Sequence, residues 1–118
     1  MITATEPQEL ISECGQWREN LALYREDLNV LKNKLYQWAS GKTDLNTLKE
    51  IEHFHNQFHI QLINVHDLKH AIREHIHQVE HHPNFGHKIP HHHLEEQYRL
   101  LLRELDKLKS DFQNFISS

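Results

Sequence analysis

Hydrophobic side chains recur at alternating intervals of three and four residues in three long stretches of the chain. The first stretch runs without interruption from Leu10 to Trp38. This spacing is typical of helices that bury one stripe against each other, as in a coiled coil. It predicts a first helix over about residues 6–39. Its stripe consists of Leu10, Cys14, Trp17, Leu21, Tyr24, Leu28, Leu31, Leu35 and Trp38.

The second stretch contains no Gly and no Pro over 39 residues and holds nine of the thirteen histidines. Gly41 ends the helix before it, and Thr43 or Asp44 suits its N-cap. We therefore predict a second helix over residues 44–82. Two polar residues, His55 and Lys69, interrupt its stripe and are expected to set the register at the edge of the core. The stripe consists of Leu48, Ile51, His55, Phe58, Leu62, Val65, Lys69, Ile72, Ile76 and Val79.

Two of the three prolines lie in residues 81–90, which predicts a loop there. Pro90 suits the first turn of a third helix, predicted over residues 90–116. Its stripe consists of Leu94, Tyr98, Leu101, Leu105, Leu108, Phe112 and Phe115. Because the links between the helices are short, neighbouring helices should run antiparallel. The pattern predicts an all-α fold, an up-down-up antiparallel three-helix bundle resembling a coiled coil, formed by a single domain over residues 1–118.

Composition and charge exclude several classes of function. The chain has 13 Lys and Arg among 17 acidic residues and a formal charge of −4, so no basic surface for nucleic acid is expected. No apolar run is long enough to cross a membrane, and the amino terminus does not resemble a signal peptide. We expect a cytoplasmic protein. The single cysteine, Cys14, lies on an apolar stripe and is interpreted as a small buried hydrophobe, with a reactive thiol as the less favoured alternative.

The histidines of the second stretch form a regular stripe of their own. His-x-x-x-His occurs three times, with each copy eleven residues after the one before. Two imidazoles at i and i+4 on a helix can bind one Zn, Ni or Cu ion, but a structural zinc site needs further ligands. The outer pairs should point to solvent and would need a second protein molecule to complete the site. The three pairs are His55 and His59, His66 and His70, and His77 and His81.

A second candidate metal site lies where the second and third helices are joined. Antiparallel pairing should bring His82 close to His91, with Glu95 one turn further on and His87 and His93 nearby. These residues offer enough nitrogen and carboxylate ligands for a closed site.

An interaction surface is the alternative role for the histidine stripe. Ile60 and Ile63 lie outside the predicted core, close in helical angle to His59, His66 and His70. Such a mixed strip suits a homodimer or a partner helix. Protonation of all thirteen histidines would move the formal charge from −4 to +9, so association could also respond to pH.

The sequence offers no nucleophile motif or phosphate loop, and no catalytic residue is predicted. The favoured function is a non-enzymatic structural or protein-interaction module that self-associates and needs no cofactor. The alternative is a protein that binds Zn, Ni or Cu through the histidine stripe or the loop-end cluster.

Overall fold

A computed structural model describes residues 7–84 and 86–118 of the chain. Within these ranges the chain forms three helices and no strand: α1 (Pro7–Ala39), α2 (Leu45–His81) and α3 (Lys88–Ser117). All three pairs of helices are in contact, and the molecule measures 60 × 24 × 17 Å. The predicted antiparallel three-helix bundle is confirmed. The predicted start at Glu6 lies outside the described residues.

Local chemistry explains where the helices begin and end. Gly41 adopts a φ of +81° after α1, a left-handed conformation that favours glycine. Asp44 caps α2, because its carboxylate accepts a hydrogen bond from the Thr47 backbone N–H at 3.0 Å. α3 begins at Lys88, two residues earlier than predicted, so Pro90 lies within its first turn, where a missing N–H costs no helical hydrogen bond.

The stripes predicted for α1 and α3 form the core. Seven of the nine α1 positions and five of the seven α3 positions are buried, and the others are partly buried. Phe58 of α2 meets Phe112 of α3 edge to face, with ring centroids 5.1 Å apart. Aromatic pairs in this geometry add to the stability that burial of their surface provides.

The buried line of α2 differs from the predicted stripe. Because α2 packs against both other helices, its most buried line faces the space between them, and His55 and Lys69 lie beside that line, partly exposed. The polar residues buried on α2 are instead Gln61 and His75. The buried line consists of Phe54, Phe58, Gln61, Val65, Leu68, Ile72, His75 and Val79.

No helix among the described residues is long and apolar enough to cross a membrane. This agrees with the sequence, in which charged residues occur throughout all three helices.

Candidate metal centre

One buried residue from each helix meets at the end of the bundle where α2 is joined to α3. Cys14 lies four residues after the buried Leu10 of α1, and His75 lies three residues after the buried Ile72 of α2. His91 lies seven residues before the buried Tyr98 of α3. The heptad spacing that builds the core therefore directs all three side chains to the bundle axis.

The ligand atoms of these residues converge. Cys14, His75 and His91 each offer one atom, and these atoms all lie within 4.8 Å of one another. His75 Nε2 is 3.2 Å from His91 Nδ1, and Cys14 Sγ is 3.8 Å from the same nitrogen. All three residues are at most 7 % exposed. We call this group the Cys-His-His centre.

Two of the three separations are close to the ligand spacing of a tetrahedral zinc site. Zn–N bonds of about 2.05 Å and Zn–S bonds of about 2.3 Å place two nitrogens about 3.3 Å apart and a sulfur about 3.6 Å from a nitrogen. The observed values of 3.2 Å and 3.8 Å differ from these by a few tenths of an ångström. These two separations fit one shared ion, and the third, between Cys14 Sγ and the ligand nitrogen of His75, is at most 4.8 Å.

Hydrogen bonding determines which nitrogen of His91 faces the centre. Its Nε2 donates to Glu13 Oε1 at 2.8 Å, so Nδ1 is the nitrogen that faces the centre. His75 Nε2 and Cys14 Sγ both approach this one nitrogen. His91 Nδ1 can make a good hydrogen bond with only one of them, whereas a metal cation would accept a lone pair from all three residues.

Glu13 and Trp17 hold the His91 ring in place from outside the centre. Glu13 bonds the outer nitrogen, as carboxylates commonly do for metal-binding histidines. Trp17 stacks on the same ring, with centroids 4.8 Å apart. The ring of His87 lies edge to face with His75 at 6.0 Å between centroids, so a further imidazole is close to the centre.

Burial shifts the protonation of two of the three residues. Loss of solvent raises the pKa of the Cys14 thiol to about 12, and the charge of Glu13 adds to the increase. Burial, followed by the charges of His91 and His87, lowers the pKa of His75 to about 4. The free centre at neutral pH therefore contains a thiol and a neutral His75. A metal ion would displace the thiol proton, and His75 would carry its remaining proton on Nδ1.

The histidine pairs predicted on the second helix lie outside this centre. His55 is partly exposed, and its Nδ1 lies 3.2 Å from the Tyr36 hydroxyl. His77 and His81 are exposed, and their ring centroids lie 4.0 Å apart. His59, His66 and His70 are exposed on the same helix.

The loop-end cluster assembles differently from the prediction. Among the described residues, the potential metal-binding group around His91 includes neither His82 nor Glu95. The His82 carbonyl accepts a hydrogen bond from His87 Nε2, and Glu95 pairs with Arg99. His91 instead turns toward α1 and α2.

Of the three residues in the Cys-His-His centre, the sequence predicts a ligand role for His91 alone. The buried position predicted for Cys14 is confirmed, and a single cysteine carries no spacing signal for a ligand role. His75 was missed because the α2 stripe was placed on the wrong side of the buried line. The signal was present, since His75 continues the three-and-four spacing that begins at Phe54 and includes Ile72.

Comparison with protein-family models, curated proteins and solved structures finds no significant match for this chain.

Proposed function

We propose that this protein binds one transition-metal ion, with zinc the best fit, at the Cys-His-His centre. The observation that carries the proposal is the convergence of Cys14, His75 and His91, whose ligand atoms all lie within 4.8 Å of one another. The two separations from His91 Nδ1 are close to those of tetrahedral zinc. The hydrogen bond from the outer nitrogen of His91 to Glu13 supports the proposal further, because metal-binding histidines commonly have a carboxylate in that position.

The types of ligand favour zinc over other ions. A thiolate with two imidazoles suits Zn and Cu, whereas Mg and Ca prefer oxygen ligands. Three protein ligands leave a fourth position for water or for a further side chain such as His87. Closure of the fourth position by His87 would give the four protein ligands that are typical of structural zinc sites, so the ion fits a role in holding helices together.

The role proposed for the ion is structural and non-enzymatic. Each ligand comes from a different helix, so one ion would connect α1, α2 and α3 at the same level of the bundle. Metal bound by the folded chain and not by the unfolded chain stabilises the fold.

Metal content gives the first test. Protein purified without a metal-affinity column, then mixed with excess zinc and dialysed, should retain about one tightly held zinc per chain by mass spectrometry of the metal. Chelation should remove the zinc and lower the melting temperature, since the ion stabilises only the folded state. Cobalt in place of zinc should give thiolate-to-cobalt charge-transfer absorption, which reports directly on Cys14.

A matched control separates the centre from the surface histidines. The double variant His77→Asn, His81→Asn removes the exposed pair and should keep the tightly held zinc and the cobalt spectrum. Zinc lost with this pair, or cobalt bound without the charge-transfer band, would contradict the proposal. Tight copper binding accompanied by weak zinc binding would support the Cys-His-His centre as a metal site and would identify copper, not zinc, as its metal.

A second candidate function is self-association through α2. Ile60 and Ile63 are 46 % and 47 % exposed, on the helix that also exposes His59, His66 and His70. Leu62, Ile63 and His66 also line a cleft of about 330 Å³ with α1, which gives a partner helix a place to pack.

Light scattering with and without chelator tests this candidate. We expect twice the monomer mass in both conditions, and a monomer after the double substitution Ile60→Asp, Ile63→Asp, because charge at a buried interface is unfavourable. Leu100→Asp on α3 is the control, since Leu100 is 56 % exposed on another helix. A wild-type monomer at high concentration would exclude the dimer.

A further inference from the structure

A second cavity, on the side of the bundle where α1 and α2 meet, is lined only by basic side chains. Its volume is about 220 Å³. Two of the lining residues belong to α1 and four to α2, and no acidic or apolar residue of the described ranges lines it. We call this cavity the cationic cleft. It is formed by Arg18, Arg25, His66, Lys69, His70 and Arg73.

The antiparallel helices bring these residues together. Arg18 and Arg25 are seven residues apart, so they lie on one face of α1 two turns apart. On α2, Lys69 and Arg73 are four residues apart and again share a face. The sequence alone predicted that the basic residues are scattered, because it places these four far apart along the chain. The fold gathers four of the 13 Lys and Arg at one cavity.

No acidic side chain of the described residues forms an ion pair with the four permanent charges of the cleft. Within residues 7–84 and 86–118, the ion pairs closer than 4.0 Å include none that involves Arg18, Arg25, Lys69 or Arg73. Elsewhere, Arg99, Lys107 and Lys109 each lie against a carboxylate. Mutual repulsion of four cations is unfavourable unless an anion lies among them.

A buried donor in the cleft also lacks a hydrogen-bond acceptor. The Nε of Arg18 is shielded from solvent and has no hydrogen-bond partner, and no other buried side-chain nitrogen or oxygen of the described residues is left in this way. Buried donors are nearly always bonded in folded proteins, and a charged one is especially unfavourable when unbonded. An acceptor supplied by a ligand would satisfy this group.

We infer that the cationic cleft binds a small polyanion of the phosphate class, with pyrophosphate the closest match in charge and size. Arginine guanidinium groups bind phosphate oxygens through paired N–H donors, and the cleft has three arginines. Its 220 Å³ lies below the roughly 300–1,000 Å³ of typical pockets for larger organic ligands. This site is separate from the metal centre and does not depend on it.

Calorimetric titration of chelator-treated protein with sodium pyrophosphate tests the inference. At physiological ionic strength we expect saturable binding of one pyrophosphate per chain and weaker binding of orthophosphate, which carries less charge. The double variant Arg25→Gln, Arg73→Gln should weaken pyrophosphate binding about tenfold or more, since each loses charged hydrogen bonds. Both residues are exposed, so the fold should survive the changes. Arg18→Gln tests the unbonded Nε separately and should also weaken binding.

Two controls distinguish a built site from general attraction to charge. Arg103→Gln removes an exposed cation of α3 outside the cleft and should leave the affinity unchanged. Cys14→Ser should also leave it unchanged, so failure of the metal proposal and failure of this one are distinguishable. Equal losses in Arg103→Gln and in the cleft variants, or no saturable binding, would overturn the inference. So would binding of vesicles that contain phosphatidic acid when free pyrophosphate does not bind.

Discussion

Replacing Cys14 with Ser should weaken zinc binding by roughly a hundredfold to a thousandfold. Four-ligand structural zinc sites bind with about 10–16 kcal/mol, or about 2.5–4 kcal/mol for each ligand. Serine has nearly the size of cysteine but is a poor zinc ligand at neutral pH, so packing in the core cluster that contains Cys14 and Trp17 should change little. Competition with a zinc-binding dye of known affinity measures the loss.

Glu13→Gln gives the graded comparison for this experiment. It keeps all three proposed ligands and removes only the charge that bonds the outer nitrogen of His91. Loss of such an outer partner typically weakens metal binding about 10–100-fold. After treatment with chelator, the melting temperatures of Cys14→Ser and Glu13→Gln should remain close to that of wild type. Wild-type zinc affinity in Cys14→Ser would show that zinc lies elsewhere on the chain.

Acid should destabilise the metal-free protein through His75. The unfolded imidazole titrates near 6.5 and the folded one at about 4, so the unfolded chain binds more protons between these values. The contribution of His75 to stability is therefore present above about pH 6.5 and is lost as the pH falls toward 4. Between pH 7 and pH 5 the loss should be on the order of 2 kcal/mol.

Urea unfolding in chelator at pH 7 and pH 5 measures this loss. The other histidines also titrate, so the informative quantity is the difference between wild type and His75→Gln. Glutamine can still donate a hydrogen bond to His91 Nδ1 but does not titrate in this range. The free energy of unfolding of the variant should therefore fall by about 2 kcal/mol less than that of wild type between pH 7 and pH 5. His81→Asn removes an exposed histidine and should behave like wild type. An equal loss in His75→Gln and wild type would contradict the buried, neutral state of His75.

The sequence was sufficient to predict the fold because the stripes of α1 and α3 are almost continuous. Positions such as Leu21, Leu35 and Phe112 are fully buried, as their spacing requires. The stripe of α2 is harder to place, because the buried line and the predicted stripe share Phe58, Val65, Ile72 and Val79. They differ by a single residue elsewhere, as at Gln61 beside Leu62 and His75 beside Ile76, and both lines are mostly apolar. Only contact with two neighbouring helices decides which of these lines is central.

Predicting the Cys-His-His centre and the cationic cleft requires knowing which line of α2 is buried and which residues of different helices meet. The spacing of residues along the chain does not encode these tertiary contacts. His75 and His91 are separated by 16 positions along the chain, and Cys14 lies 77 positions before His91. The eleven-residue histidine repeat is the most conspicuous pattern in the sequence, yet most of its members are exposed on α2. The cationic cleft was likewise hidden, since Arg18 and Arg73 meet only after the chain reverses at Gly41.

The Cys-His-His centre lies near the end of the bundle, so its three helices can separate there without disrupting the Phe58 and Phe112 pair. Local opening of that end would pull the ligands apart, and an ion could leave or enter only during such an event. The residence time of a bound ion would then be at least as long as the interval between openings of this end of the bundle. The rate at which a bound metal ion exchanges with solvent would thus depend on the opening of the helices as well as on the strength of the metal–ligand bonds.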